Sequence, residues 1–108
     1  MGKFVISVAS NDEFRFNLKA ENGQVILTSE TYKTKAGCNN GIESVKKNSA
    51  DESKFTKLEA KNGKFYFTLK AGNGEVIGTG QMYAAEDGRD NGIASVMSNA
   101  PEAEVMEE

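Results

Sequence analysis

Apolar side chains occupy every second position near the start of the chain: Phe4, Ile6 and Val8, then Phe14, Phe16 and Leu18. That alternation puts each trio on one face of a β-strand. The second trio returns at an offset of 51 residues, where Phe65-Tyr66-Phe67-Thr68-Leu69-Lys70-Ala71 matches Phe14-Arg15-Phe16-Asn17-Leu18-Lys19-Ala20. The register then holds without a gap through Asn48 and Asn99. Further along each copy the period changes. Cys38, Ile42 and Val45 stand at i, i+4 and i+7, and Ile93 and Val96 hold the equivalent places. This spacing predicts helices over roughly residues 35–48 and 86–99. Gly41 and Gly92 fall inside them, each costing about 1 kcal/mol relative to alanine. Their recurrence suggests close packing of helix backbone on a sheet. Pro101 suits a position just past a helix end at Asn99.

Four segments share a turn signature: Ala9-Ser10-Asn11-Asp12-Glu13, Ala20-Glu21-Asn22-Gly23-Gln24, Ala60-Lys61-Asn62-Gly63-Lys64 and Ala71-Gly72-Asn73-Gly74-Glu75. Asn-Gly between alternating runs is a strong hairpin signal, because both residues tolerate positive φ. A three-residue first loop, with Asp12 in the left-handed position that Gly63 takes in the second copy, pairs Val8 with Phe14, Ile6 with Phe16 and Phe4 with Leu18. The second hairpin has two readings. A two-residue loop buries Val25 and Leu27, and a three-residue loop buries Ile26. The recurrence of Ile26 as Ile77, while Leu27 becomes Gly78, favours the latter. The run Phe55 to Ala60 alternates poorly, with Lys57 on the face of Phe55, and its register stays open.

A strand is expected after each helix, Lys54 to Ala60 and Ala103 to Glu107. The repeating unit is then three strands, a helix and a strand. Residues 1–108 form a single α+β domain of two repeats, about 2–53 and 54–108, with both helices on one face of an antiparallel sheet. A chain of 108 residues buries enough surface to fold without metal or disulfide, whereas one copy alone is marginal.

Several residues carry a family resemblance. They are Phe-x-Phe-x-Leu-Lys-Ala-x-Asn-Gly-x-Val-Ile, then Thr28 or Thr79, Tyr32 or Tyr83, and the stretches Asn40-Gly41-Ile42-Glu43-Ser44-Val45 and Asn91-Gly92-Ile93-Ala94-Ser95-Val96. The chain resembles the YegP-like family of small bacterial proteins across both copies. The resemblance implies a tandem repeat in one sheet, with the last strands exchanged between copies. It implies no activity and supplies no site.

Composition narrows the function classes. The net charge is −3, from 13 basic and 16 acidic residues. This argues against a general nucleic-acid or anionic-membrane binder. The charge is uneven: residues 1–50 carry seven basic and five acidic side chains, and the remainder six and eleven, ending in an acidic, solvated tail. One cysteine, Cys38, excludes an intrachain disulfide and suits a reducing compartment. No apolar run reaches the roughly 18 residues of a membrane span, and the first residues lack a signal-peptide pattern. A cytoplasmic protein is the expectation.

There is no histidine, which removes the commonest general base and most zinc sites. Cys38 lies on an apolar helix stripe, where burial leaves a thiol inert. Gly72-Asn73-Gly74-Glu75-Val76-Ile77-Gly78-Thr79-Gly80 fails the phosphate-loop pattern at Ile77 and reads as a hairpin with a thinned strand. Glu86, Asp87 and Asp90 suit helix capping and the helix dipole better than metal binding. Tyr32 and Tyr83 suit packed rings with hydroxyls bonded to backbone. Asn40 and Asn91 are either backbone-binding or ligand contacts. Arg15, Asn17 and Lys19, with Tyr66, Thr68 and Lys70, point away from the phenylalanine rows and form the candidate binding face. The expected function is a small non-enzymatic binding or interaction module, a monomeric pseudo-dimer with no catalytic residues, metal or cofactor and an unidentified partner. The alternatives are weak single-stranded nucleic-acid binding on that face and an enzyme using carboxylate, lysine or tyrosine chemistry.

Overall fold

In the computed structural model, which describes residues 2–108, seven strands form one sheet and two helices cover one of its faces. The strands are β1 (Lys3–Val8), β2 (Phe14–Lys19), β3 (Val25–Ser29), β4 (Phe55–Glu59), β5 (Phe65–Lys70), β6 (Val76–Thr79) and β7 (Glu104–Glu107). The helices are α1 (Lys35–Asn48) and α2 (Glu86–Asn99), each followed by a short 3-10 turn. The strand order is β4-β5-β6-β3-β2-β1-β7. The copies meet where β3 pairs with β6, through Thr28↔Thr79 and Ser29↔Gly78. Thr28 and Thr79 are repeat equivalents, so a pseudo-two-fold axis passes between them.

Five of the strand pairs are antiparallel, as the alternation indicates, and β1 with β7 is parallel. The sheet is therefore mixed. The reason is connectivity: α2 returns the chain across the helix layer before β7 is laid down, and that crossover reverses its sense relative to a hairpin. Strand exchange takes this form. The strand after α1 begins copy two as β4, and the strand after α2 closes copy one as β7.

The first hairpin has the expected register, Phe4↔Leu18, Ile6↔Phe16 and Val8↔Phe14, and β4–β5 repeats it as Phe55↔Leu69 and Lys57↔Phe67. Asp12 takes φ 65° where Gly63 takes 81°. Each of the four turns is tied by its asparagine, whose Oδ1 accepts the backbone N–H two residues on, at 3.0–3.1 Å. In the second hairpin the loop spans three residues, with the Ala20 N–H donating to the Gln24 carbonyl. A bulge then shifts the register from Lys19↔Val25 to Leu18↔Leu27. Ile26 and Leu27 are consequently both buried, and neither simple loop reading holds alone. Copy two repeats the bulge at Ile77.

Phe4, Phe16, Leu18 and Leu27 with Phe67 and Leu69 from the sheet, and Cys38, Ile42, Val45, Ile93 and Val96 from the helices, form one contiguous core. Each helix reaches across the junction: α1 packs on β2 but also on β5 and β6, and α2 on β5 and β3. The copies cannot be separated without exposing both.

The glycines of the helices have a more specific cause than contact with the sheet. A Cβ on Gly41 would run into the Tyr32 ring and hydroxyl, and one on Gly92 into those of Tyr83. Tyr32 and Tyr83 form isolated bridges to Phe14 and Phe65, so each ring lies between a strand and a helix. Gly78 has a similar origin. A Cβ there would stand 2.8 Å from Leu27 Cγ. Leu27 is the repeat equivalent of Gly78 and sits beside the pseudo-axis, where only one such side chain fits. The glycine-rich stretch is thus a four-residue strand, as its hairpin reading expects.

Candidate functional site

The candidate face is the side of the sheet opposite the helices. Strand pleating turns alternate residues there, and the register aligns them into a cross-strand row. Thr56 pairs with Thr68, Thr68 with Thr79, Thr79 with Thr28, Thr28 with Asn17, Asn17 with Val5, and Val5 with Met106. The row crosses all seven strands. Asn17 and Thr68 belong to it and lie three strand spacings apart, about 14 Å. Arg15 and Lys19 flank Asn17 on β2, while Tyr66 and Lys70 flank Thr68 on β5. All six side chains are half-buried. The sheet thus brings the six onto one face, in two clusters joined by Thr28 and Thr79. Sequence reasoning noted those two threonines as recurrent but did not place them on the face, because the bulges at Ile26 and Ile77 shift the alternation just before them.

The electrostatics of this face differ from those of the whole chain. Its strand positions carry Lys3, Arg15, Lys19 and Lys70 against one carboxylate, Glu104. Among the described residues, none of these cations makes an ion pair within 4.0 Å. The ion pairs lie on the helix side: Lys35 with Glu107, Lys57 with Asp90 at 3.3 Å, and Arg89 with Asp90 at 3.3 Å. A chain of net charge −3 therefore presents a locally positive, hydroxyl-rich sheet face.

The remaining titratable groups are held by structure. Burial leaves Cys38 with no exposed surface and raises its thiol pKa, which keeps it protonated. Its counterpart Arg89 is buried too, with its guanidinium 5.5 Å from the centre of the Phe65 ring. Burial raises Tyr32 and Tyr83, and at Tyr32 the Glu30 charge adds to this, as Cys38 does once its thiol ionises at high pH. Desolvation acts upward on Asp90, but the hydrogen bonds and charges of Lys57 and Arg89 outweigh it and lower the carboxyl. Asp51 is lowered by hydrogen bonds from the Ser53 hydroxyl and N–H.

Two expectations need correction. Among the described residues, the hydroxyls of Tyr32 and Tyr83 make no hydrogen bond to backbone; the rings are held by packing against the helix glycines. The acidic residues of α2 do not cap it either. Its N-cap is Ala85, with no side-chain bond, whereas Thr34 caps α1 by accepting from the Gly37 N–H at 3.0 Å. Glu86 and Asp87 remain in the first turn, favourable to the helix dipole. Asn40 and Asn91 are exposed, and among the described residues their side chains make no hydrogen bond. Asn40 borders a cleft of about 700 Å³ between α1 and the β5–β6 turn, lined also by Glu43, Lys47, Asp51 and Lys54. Among the described residues, no three His, Cys, Asp or Glu side chains gather as metal ligands, and no helix is long and apolar enough to cross a membrane.

Comparison with known proteins adds a family and a fold. A family model described as a domain of unknown function (DUF1508) matches residues 9–55 and again residues 60–107. A UPF0339 protein in the ptx operon 5′ region of Stutzerimonas stutzeri is 54% identical over 106 residues, covering 98% of this chain and 96% of that protein. The UPF0339 protein YegP of Escherichia coli (strain K12) is 52% identical over 98 residues, covering 91% and 89%. The solution NMR structure of yegP from E. coli, a protein of unknown function, matches with a TM-score of 0.94 at 48% identity, covering 99% of this chain and 92% of that one. That of a UPF0339 protein from Shewanella oneidensis matches with a TM-score of 0.92 at 53% identity, covering 98% and 90%.

Proposed function

The chain belongs to the DUF1508 family, and we propose that it is a small non-enzymatic interaction module, a cytoplasmic monomeric pseudo-dimer that binds through the outer face of its sheet. The observation that carries this reading is the charge reversal on that face. Four cations without ion pairs border a continuous threonine and asparagine row, on a molecule that is otherwise acidic. Cations on an uncovered face steer a partner of opposite charge. The hydroxyls and the Asn17 amide supply hydrogen bonds once it is in place. The non-enzymatic part is supported by these shifted groups, each of which is engaged in packing or in a structural bond; Asp51, which borders the cleft beside Asn40, is held by both Ser53 bonds.

Single-stranded nucleic acid is the second reading. The same cations favour it, while Tyr66 alone offers a ring for base stacking. The test is titration of ¹⁵N-labelled protein at low salt with polyglutamate and, separately, with a deoxythymidine oligomer. Shift changes should map to Arg15, Asn17, Lys19, Tyr66, Thr68 and Lys70, and Arg15→Ala with Lys70→Ala should weaken binding several-fold and flatten its salt dependence. Preference for the oligomer selects the second reading. Shift changes confined to the helix side, or catalytic turnover lost in one point variant, overturn the proposal.

A further inference from the structure

The two copies are not completed alike. Along its outer edge β1 is covered by β7, in parallel register from Lys3↔Glu104 to Ile6↔Glu107. The repeat counterpart of β1 is β4, with Lys54, Phe55, Thr56 and Lys57 in place of Lys3, Phe4, Val5 and Ile6. Yet β4 ends the sheet, and among the described residues its outer edge pairs with no strand. In copy one that edge acts through backbone carbonyls. The Glu104 N–H donates to Gly2 at 3.3 Å and the Glu108 N–H to Ile6 at 2.9 Å. Because β4–β5 has the register of β1–β2, the Lys57 carbonyl holds the outward place of Ile6, whereas Ser53, the counterpart of Gly2, lies in the 3-10 turn Glu52–Lys54, whose Glu52 carbonyl accepts the Phe55 N–H. The missing strand leaves a mark on the core: Phe4 has no exposed surface, while Phe55 keeps 8%.

We propose that the outer edge of β4 accepts an extended segment of a partner protein, added in parallel as β7 adds to β1, with an apolar residue at its second position and a basic residue at its fourth. The second would cover Phe55 as Val105 covers Phe4. The fourth position is where the copies differ. Glu107 meets Lys35 in the first turn of α1, but the repeat counterpart of Lys35 is Glu86, exposed and without an ion pair. A basic residue answers it. Lys57, beside that position, is already held by Asp90 at 3.3 Å.

The same comparison excludes the nearest alternative occupant. The tail of a second copy, Glu104-Val105-Met106-Glu107, would set Glu107 against Glu86. Like charges there, with the charged and exposed Lys57 and Glu59 along the edge, keep the sheet from propagating copy to copy. Backbone pairing supplies attachment, and the Glu86 charge selects the segment.

The test uses the whole ¹⁵N-labelled protein and two capped peptides with the cores Glu-Val-Thr-Lys and Glu-Val-Thr-Glu. The first should shift amides of residues 53–58 and 86–90 and bind about two- to five-fold more tightly than the second, the range of an exposed ion pair. Glu86→Lys, at an exposed position that leaves the fold intact, should invert that order. Arg15→Ala and Lys70→Ala should leave it unchanged, which separates this edge from the outer face. No shift at β4 with millimolar peptide, equal binding of the two peptides, or an order unmoved by Glu86→Lys overturns the proposal.

Discussion

A single methyl group on Gly41 would overlap the Tyr32 hydroxyl and the ring carbon that carries it, and one on Gly92 those of Tyr83. Helix propensity alone would make Gly→Ala favourable at either site by about 1 kcal/mol. Overpacking costs more. We expect Gly41→Ala and Gly92→Ala each to lower stability by about 1–3 kcal/mol in urea titrations. Tyr32→Phe, which removes a hydroxyl without a hydrogen bond, should stay within about 0.5 kcal/mol of the parent. Gain of stability in either glycine variant would show that the rings move aside freely. The recurrence of these glycines was legible in the sequence and rightly read as close packing. What they pack against was not, because Tyr32 precedes Gly41 by nine residues across a turn whose path only the fold sets. Gly78 was opaque for a different reason: its cause, Leu27, is the same position in the other copy, and two leucines beside a two-fold axis compete for one space.

Element boundaries follow from local chemistry, and both helices span the residues that their apolar period indicates. Their ends differ in one respect. Thr34 caps α1, and Ala85 at the same repeat position leaves the first N–H groups of α2 without a side-chain acceptor. Moving the cap should transfer its energy. Ala85→Thr is expected to raise stability by about 0.5–1 kcal/mol and Thr34→Ala to lower it by about 1 kcal/mol, read as opposite shifts of the urea midpoint. Equal effects of the same sign would mean that the cap energy is set by tertiary context. The second hairpin marks the limit of periodicity. Alternation allowed either Ile26 or Leu27 inside, and the bulge admits both. A bulge is a tertiary decision, adopted because two apolar side chains gain more from the core than the ladder loses.

For the molecule as a whole, the last strand is the informative part. Removing residues 101–108 takes away β7 and the buried Ala103, and uncovers the edge beside Phe4 and Ile6. The side chains of β7 are themselves exposed, so the loss is that of an edge rather than of a core layer. We expect the truncated chain to remain folded but less stable by about 1–3 kcal/mol, with a single cooperative transition. An unchanged midpoint would show that β7 contributes nothing to the domain. The six candidate residues were legible as outward-facing on their own strands. Their union into one face depends on the β3–β6 contact, a pairing of two residues on each strand that carries no mark in the sequence.

By itself, the sequence determined the duplication, the strands and helices, the first hairpin register and the absence of histidine chemistry. Each of these rests on neighbours along the chain: alternation, turn residues and composition. Only the tertiary structure decided the parallel seating of β7, the shared core, the bulges and the asymmetry between a covered β1 and an open β4. Apart from the bulges, which lie within hairpins, these depend on contacts between residues about 50 or 100 positions apart, where two similar copies offer nearly equivalent partners. Which partner is taken is settled by the space and connectivity of the whole fold, and two nearly identical stretches of chain end in different surroundings for that reason.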